Sequence, residues 1–215
     1  EFGSDTGVSN IVVKACPDSD PEKCDEIKGT INVAKGTFPS EKLKVPPRSI
    51  APNKKDRIQI AKDLAVLAKV YASSEKKKYW EGKVLLPVVN DLTSIYGASR
   101  IYNGKLASAH LGTDFRAPTG TPIRTPLAGR VALSRVLFYT GNTVIIDHGY
   151  NFFTIYAHMS KLKVKEGDLA TKGQVLGLSG MTGRSSGPHL HWGVKLQGMK
   201  LDAMSVVDLL GKEKE

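Results

Sequence analysis

Only two cysteines, five histidines and two tryptophans occur in these 215 residues, and aromatic side chains make up 7% of them. No stretch approaches the roughly 18 consecutive apolar residues of a membrane-spanning helix, which excludes a helical span within this sequence. The two cysteines, Cys16 and Cys24 in "CPDSDPEKC", have a spacing that fits no zinc-ribbon or redox motif. A loop-closing Cys16–Cys24 disulfide is the expectation, and it requires an oxidising compartment. Acidic residues are in the minority, 21 against 31 Lys and Arg, for a net charge of +10. That excess is spread along the chain, with "EKKKY" (75–79) the one tight cluster, and no basic stripe is interleaved with stacking aromatics. A nucleic-acid partner is therefore not expected. Neither the basic n-region nor the apolar h-region of a signal peptide is present. The opening "EFGS" (1–4) reads as a cloning scar, so an export signal or anchor is expected upstream of Asp5.

A 40% hydrophobic content is enough for a packed core. Residues 5–52 mix short apolar runs ("NIVV", "TINVA") with Pro, Gly and Asp and end in "VPPRSIAP", which predicts short strands followed by a stiff proline-rich connector. Residues 53–83 are read as a helix followed by a linker. Ile58, Ala61, Leu64, Ala65, Ala68 and Tyr71 recur at three- and four-residue steps behind Asn53 as N-cap, predicting one amphipathic helix packed on its neighbour. From 84 to 207, segments such as "GRVALSRVLFY", "NTVIIDHG", "NFFTIYAHM" and "HLHWGVKL" are short and rich in Val, Ile and aromatics, with turn residues between them. The expected fold is mainly β, α+β overall, with an antiparallel β domain over 84–207 and a short tail at 208–215.

All five histidines fall in that β region: His110, His148, His158, His189 and His191. In "HLH", alternate strand residues share a face, so His189 and His191 project together while Leu190 turns to the core. Their Cα atoms then lie about 6.5 Å apart, twice the strand rise. "HLGTD" offers His110 and Asp114, both ligand types for a borderline metal such as zinc. Fully extended, their Cα atoms would be about 13 Å apart, so ligation of one ion requires a bend, which Gly112 permits. His158 in "YAHM" ends an apolar strand, a place where a lone histidine is more often structural. His148 in the "DHG" turn is read as structural.

Taken in order, "HLGTDFRAPTGTPI", "GRV", "GNTVIIDHG", "YAHM" and "KGQVLGLSGMTGRSSGPHLHWGV" resemble the catalytic domain of lysostaphin-type (LytM-like) zinc metallopeptidases. The flanking "IYGASRIYNGK" is similar to the form found in Gram-negative cell-wall endopeptidases. The resemblance covers 84–207 and implies an antiparallel LytM-like fold holding one zinc ion. It makes His110, Asp114 and His191 the metal ligands and His158 and His189 the catalytic pair. Two imidazoles and a carboxylate leave zinc an open fourth position, as catalytic sites require. With no H-E-x-x-H in the chain, histidine rather than glutamate must serve as the base. Tyr102 is a candidate substrate-side hydroxyl. Thr125 stands where the family commonly has alanine and Trp192 where phenylalanine is frequent.

The implied activity is hydrolysis of peptidoglycan peptide cross-links, the D-alanine-to-diaminopimelate link above the glycine bridge, in the periplasm or cell envelope. Peptidoglycan stems would be the partner. The resemblance also admits a latent peptidase whose leading residues cover the groove, or a non-catalytic activator of other wall hydrolases.

Overall fold

A computed structural model of the chain describes residues 7–15 and 23–213, which separate into two compact units, 1–38 and 39–215. Within the first, β1 (Gly7–Ala15) and β2 (Asp25–Val33) form an antiparallel hairpin in register from Gly7↔Val33 to Ala15↔Asp25. Cys24 at its base is disulfide-bonded; Cys16, the expected partner, lies outside the described residues.

The second unit begins with β3 (Ser40–Leu43) and α1 (Lys54–Ala72), followed by β4 (Leu92–Ser94), β5 (Ser99–Tyr102), β6 (Leu106–Ala109), β7 (Thr113–Arg116) and β8 (Pro122–Arg124). Three longer strands come next, β9 (Gly129–Leu137), β10 (Gly141–Asp147) and β11 (Phe152–Met159). Short strands β12 (Lys161–Leu162), β13 (Leu169–Ala170) and β14 (Val175–Leu178) lead to β15 (His189–Leu196), β16 (Met199–Leu201) and α2 (Ala203–Leu210). The main sheet runs β13-β9-β10-β11-β15-β7-β4, with β16 also on β15, and all its pairings are antiparallel.

Alternation along these strands sorts side chains to two faces. Phe115, Val131, Val144, Ile146, Tyr156, Leu190, Trp192 and Val194 face the larger core. Leu133, Leu137, Ile145 and Phe153 face the other way, under Val66, Leu67, Val70 and Tyr71 of α1. The rest of that second face, on β7 and β15, carries Asp114, His189 and His191.

The helix starts where the sequence places it. Asn53 accepts from the Asp56 N–H at 3.0 Å, and the Asp56 carboxylate accepts from the Asn53 N–H at 3.2 Å, closing a capping box. Its packed face differs from the expected one. Ile58, Ala61, Leu64, Ala65 and Ala68 are exposed, and only Tyr71 of the predicted stripe packs inward. The inward stripe instead includes Asp63, whose carboxylate accepts the Phe138 N–H at 2.7 Å and the Gln59 amide at 2.8 Å. These hydrogen bonds compensate the burial of a charge that hydropathy alone would have placed outside.

Two segment boundaries also move. β3, inside the expected leading segment, pairs in parallel with β5 from Ser40↔Ser99 to Leu43↔Tyr102. The expected tail continues the domain: α2 runs on to Leu210, and Val84 exchanges backbone hydrogen bonds with Gly211 and Glu213 at 2.9 Å each. Thr125 is buried and donates to the Leu127 carbonyl at 2.6 Å, and Trp192 fills the core.

Candidate active site

Three strands and one bend bring the expected histidines and aspartate together. β15 pairs with β7 so that His191 stands directly opposite Asp114. His110 reaches the same point from the end of β6, because the chain bends at Gly112. Gly112 is also needed for space: a Cβ there would lie 2.5 Å from His191 Cε1 and 2.9 Å from the Trp192 carbonyl oxygen. His158 comes from β11, where a bulge sets two residues of β11 against one of β10 between Val144↔Tyr156 and Asn142↔Met159. Its φ of 61° is left-handed, which re-aims the side chain out of the strand's alternation.

His110 Nε2, Asp114 Oδ1 and His191 Nδ1 lie within 4.8 Å of one another. The separations are 3.0 Å between the two nitrogens, 3.1 Å from His110 Nε2 to Asp114 Oδ1 and 2.8 Å from His191 Nδ1 to Asp114 Oδ1. Tetrahedral zinc with bonds of about 2.0–2.1 Å spaces its donors by about 3.3 Å, so the set fits such an ion after a small expansion. Tautomers agree with that role. His110 Nδ1–H donates to the Ile95 carbonyl at 2.9 Å, with the Ser94 hydroxyl 3.0 Å away, leaving the Nε2 lone pair free.

The second pair is oriented in the same manner. His158 Nδ1–H donates to the Thr182 carbonyl and His189 Nδ1–H to the Gly187 carbonyl, each at 2.8 Å. A carbonyl only accepts, so Nδ1 is the donating nitrogen in both rings. Their ring centroids are 4.9 Å apart, and His189 Nε2 stands 3.7 Å from Asp114 Oδ2.

Burial would raise the Asp114 pKa, but the adjoining His110 and His191 side chains hold it well below the usual carboxylate range. Burial, reinforced by His189 and His191, pushes His158 down to about 3. Burial also lowers His191, against the pull of Asp114. His148 sits apart from the site, fully buried, donating from Nδ1 to the Ala128 carbonyl at 2.8 Å with Nε2 2.8 Å from the Thr154 hydroxyl. Burial brings it to about 4.

Two clefts meet at this centre. One, of about 440 Å³, is lined by residues including Asp114, His158 and His189; the other, of about 320 Å³, by residues including His110, His158 and His191. Tyr102 lines both. Sequence reasoning missed Arg100, which contacts Asp114 Oδ2 through Nη2 and Glu41 through Nε at 3.1 Å. Nothing in the local pattern of "GASRIY" marks it, because its partners come from β7 and β3. Arg184 and the Thr182 carbonyl were missed as well; both lie in the glycine-rich stretch that precedes His189.

A His-Asp-His set that could hold a metal ion, flanked by two further imidazoles on an antiparallel sheet, is an arrangement suited to a metallohydrolase. Residues 108–203 match Peptidase family M23. It is 46% identical over 100 residues to the peptidoglycan DD-endopeptidase ShyA of Vibrio cholerae, covering 46% of this chain and 23% of that protein. It is 39% identical over 97 residues to the DD-carboxypeptidase/endopeptidase Mpg of Neisseria meningitidis, covering 45% of this chain and 22% of that protein. The chain thus spans less than a quarter of the length of these curated relatives. Among solved structures, a protein assigned to peptidase M23 from Pseudomonas aeruginosa superposes with a TM-score of 0.68 at 28% identity, over 96% of this chain and 75% of that one. A zinc-containing peptidase from Vibrio cholerae gives 0.52 at 34% identity, over 60% and 40% of the two chains.

Proposed function

We propose that the chain is a zinc-dependent endopeptidase that hydrolyses peptide cross-links of bacterial peptidoglycan, favouring the D-alanine-to-diaminopimelate bond, in the periplasm or cell envelope. The observation that carries this reading is the convergence of His110 Nε2, Asp114 Oδ1 and His191 Nδ1 beside two further imidazoles where two clefts meet. The names of the relatives support the substrate, and the net charge of +10 suits an anionic wall.

His110, Asp114 and His191 would hold one zinc ion. When bound, zinc polarises the scissile carbonyl and lowers the pKa of water from about 15.7 to near 7. His189 Nε2 faces Asp114 Oδ2, so a proton gained there is stabilised by the carboxylate and can be returned to the leaving amine. His158, held neutral by burial, accepts a hydrogen bond at Nε2 and orients the reacting groups. Tyr102 is assigned to substrate contact from its place in both clefts.

Incubation of the zinc-loaded chain with purified cross-linked muropeptide dimers, followed by mass spectrometry, tests the reading. It predicts two monomers split between D-alanine and diaminopimelate; intact dimers would count against it. A second reading, a latent peptidase, is favoured by Glu41, Leu43 and Val45 in the cleft wall. Removing residues 5–50 should then raise the cleavage rate, and an unchanged or lower rate speaks against latency. The complete ligand set speaks against a non-catalytic activator.

A further inference from the structure

Four residues line both clefts: Arg100, Tyr102, His158 and Arg184. Arg184 stands out among them for what it lacks. The carboxylates in the cleft walls, Glu41 and Asp114, are both engaged by Arg100. Arg116, in the first cleft alone, has Asp91 as partner at 3.6 Å. Lys200 lines only the second cleft. The half-buried Arg184 guanidinium lies over the rings of Tyr102 and Tyr139, 4.7 Å from each centroid. Among the described residues, no carbonyl, hydroxyl or carboxylate takes any of its five N–H donors.

A planar cation held between aromatic rings loses little further freedom when it binds an acceptor, and its donor fork matches a carboxylate. Its backbone is fixed as well, since the Arg184 N–H donates to the Tyr139 carbonyl at 2.7 Å. Two residues earlier, the Thr182 carbonyl holds His158 Nδ1. One short segment therefore positions both the imidazole and the unpaired guanidinium.

We infer that Arg184 is a specificity-determining residue that binds a substrate carboxylate next to the scissile bond. The inference rests on the peptidase reading above. A D-alanine-to-diaminopimelate link has one carboxylate in that place, on the carbon that bears the scissile nitrogen; the D-alanine carboxyl is itself consumed in the bond. Arg184 thus selects links whose leaving amine carries an adjacent carboxylate and disfavours links in which that group is an amide.

The test uses two cross-linked muropeptide dimers that differ only there, one with the free carboxylate and one with its primary amide. The wild-type chain should show a kcat/KM roughly tenfold to a hundredfold higher for the acid, the range of a charge-assisted pair. Arg184→Gln should abolish the preference by bringing the acid down to the level of the amide, and Arg184→Lys should recover part of it. Equal rates on both substrates, or an equal loss on both in Arg184→Gln, would overturn the inference. Calorimetric binding of the same pair with a non-hydrolysable bond separates the two claims. Discrimination in binding without any cleavage would keep the carboxylate site and sink the peptidase reading; cleavage without discrimination would do the reverse.

Discussion

At the residue scale, the site depends on atoms that offer no chemistry of their own. Gly112 was expected to permit a bend, and it also vacates the space that the His191 ring occupies. Gly112→Ala should displace that ring and weaken zinc affinity about tenfold to a hundredfold, the usual cost of disturbing a ligand's support; competition with a chromogenic chelator reads this directly, and unchanged affinity would show that the ring tolerates the Cβ. His148 gives a pH prediction that is independent of the metal. Its folded pKa of about 4 lies below the ordinary 6.5, so the unfolded chain binds the proton more readily. The stability it contributes is complete above pH 6.5 and is lost as pH falls toward 4, roughly 3 kcal/mol at 1.4 kcal/mol per unit. Urea unfolding at pH 7 and pH 4.5 should show the decline, and His148→Gln should show a shallower one. His110, Asp114, His189 and His191 stand out as candidates because H-x-H and H-x-x-x-D set ligand types at fixed spacings, whereas His158 is singled out only by the family resemblance. Arg100 and Glu41 do not stand out, since their contacts are made only when β3 and β5 pair.

At the element scale, register and bulges do the positioning. The β7–β15 register sets His191 against Asp114, and the β10–β11 bulge turns His158 toward them. Alternation predicted the common face of His189 and His191, but no local signal announces a bulge, which arises from pairing between strands. The helix teaches a related lesson. Its period and cap were legible; its buried face was not, because Asp63 turns inward to meet the Phe138 N–H. Asp63→Ala should therefore destabilise the chain by about 1–3 kcal/mol by leaving that N–H unpaired. Leu64→Ser, at a side chain 62% exposed, should change stability by less than about 0.5 kcal/mol. Paired thermal and urea melts of the two variants check the ordering, and a larger loss for Leu64→Ser would mean that the exposed stripe packs against something after all.

For the molecule as a whole, mainly β character was readable from short apolar runs punctuated by turn residues. The extent of the domain was not. β3 joins it from the leading segment, and residues 211–213 close it by pairing with Val84, far apart in sequence from the strands they complete. Of these additions, β3 borders the first cleft through Glu41 and Leu43. The central claim is that His110, Asp114 and His191 hold a zinc ion that makes the site a peptidase. The most direct measurement is metal content together with muropeptide cleavage, on the same preparations of the wild-type chain and His191→Ala. The account predicts one zinc per chain and cleavage in the wild type, with both lost in the variant. A wild-type chain that cleaves without zinc, or a His191→Ala chain that keeps both, would contradict it.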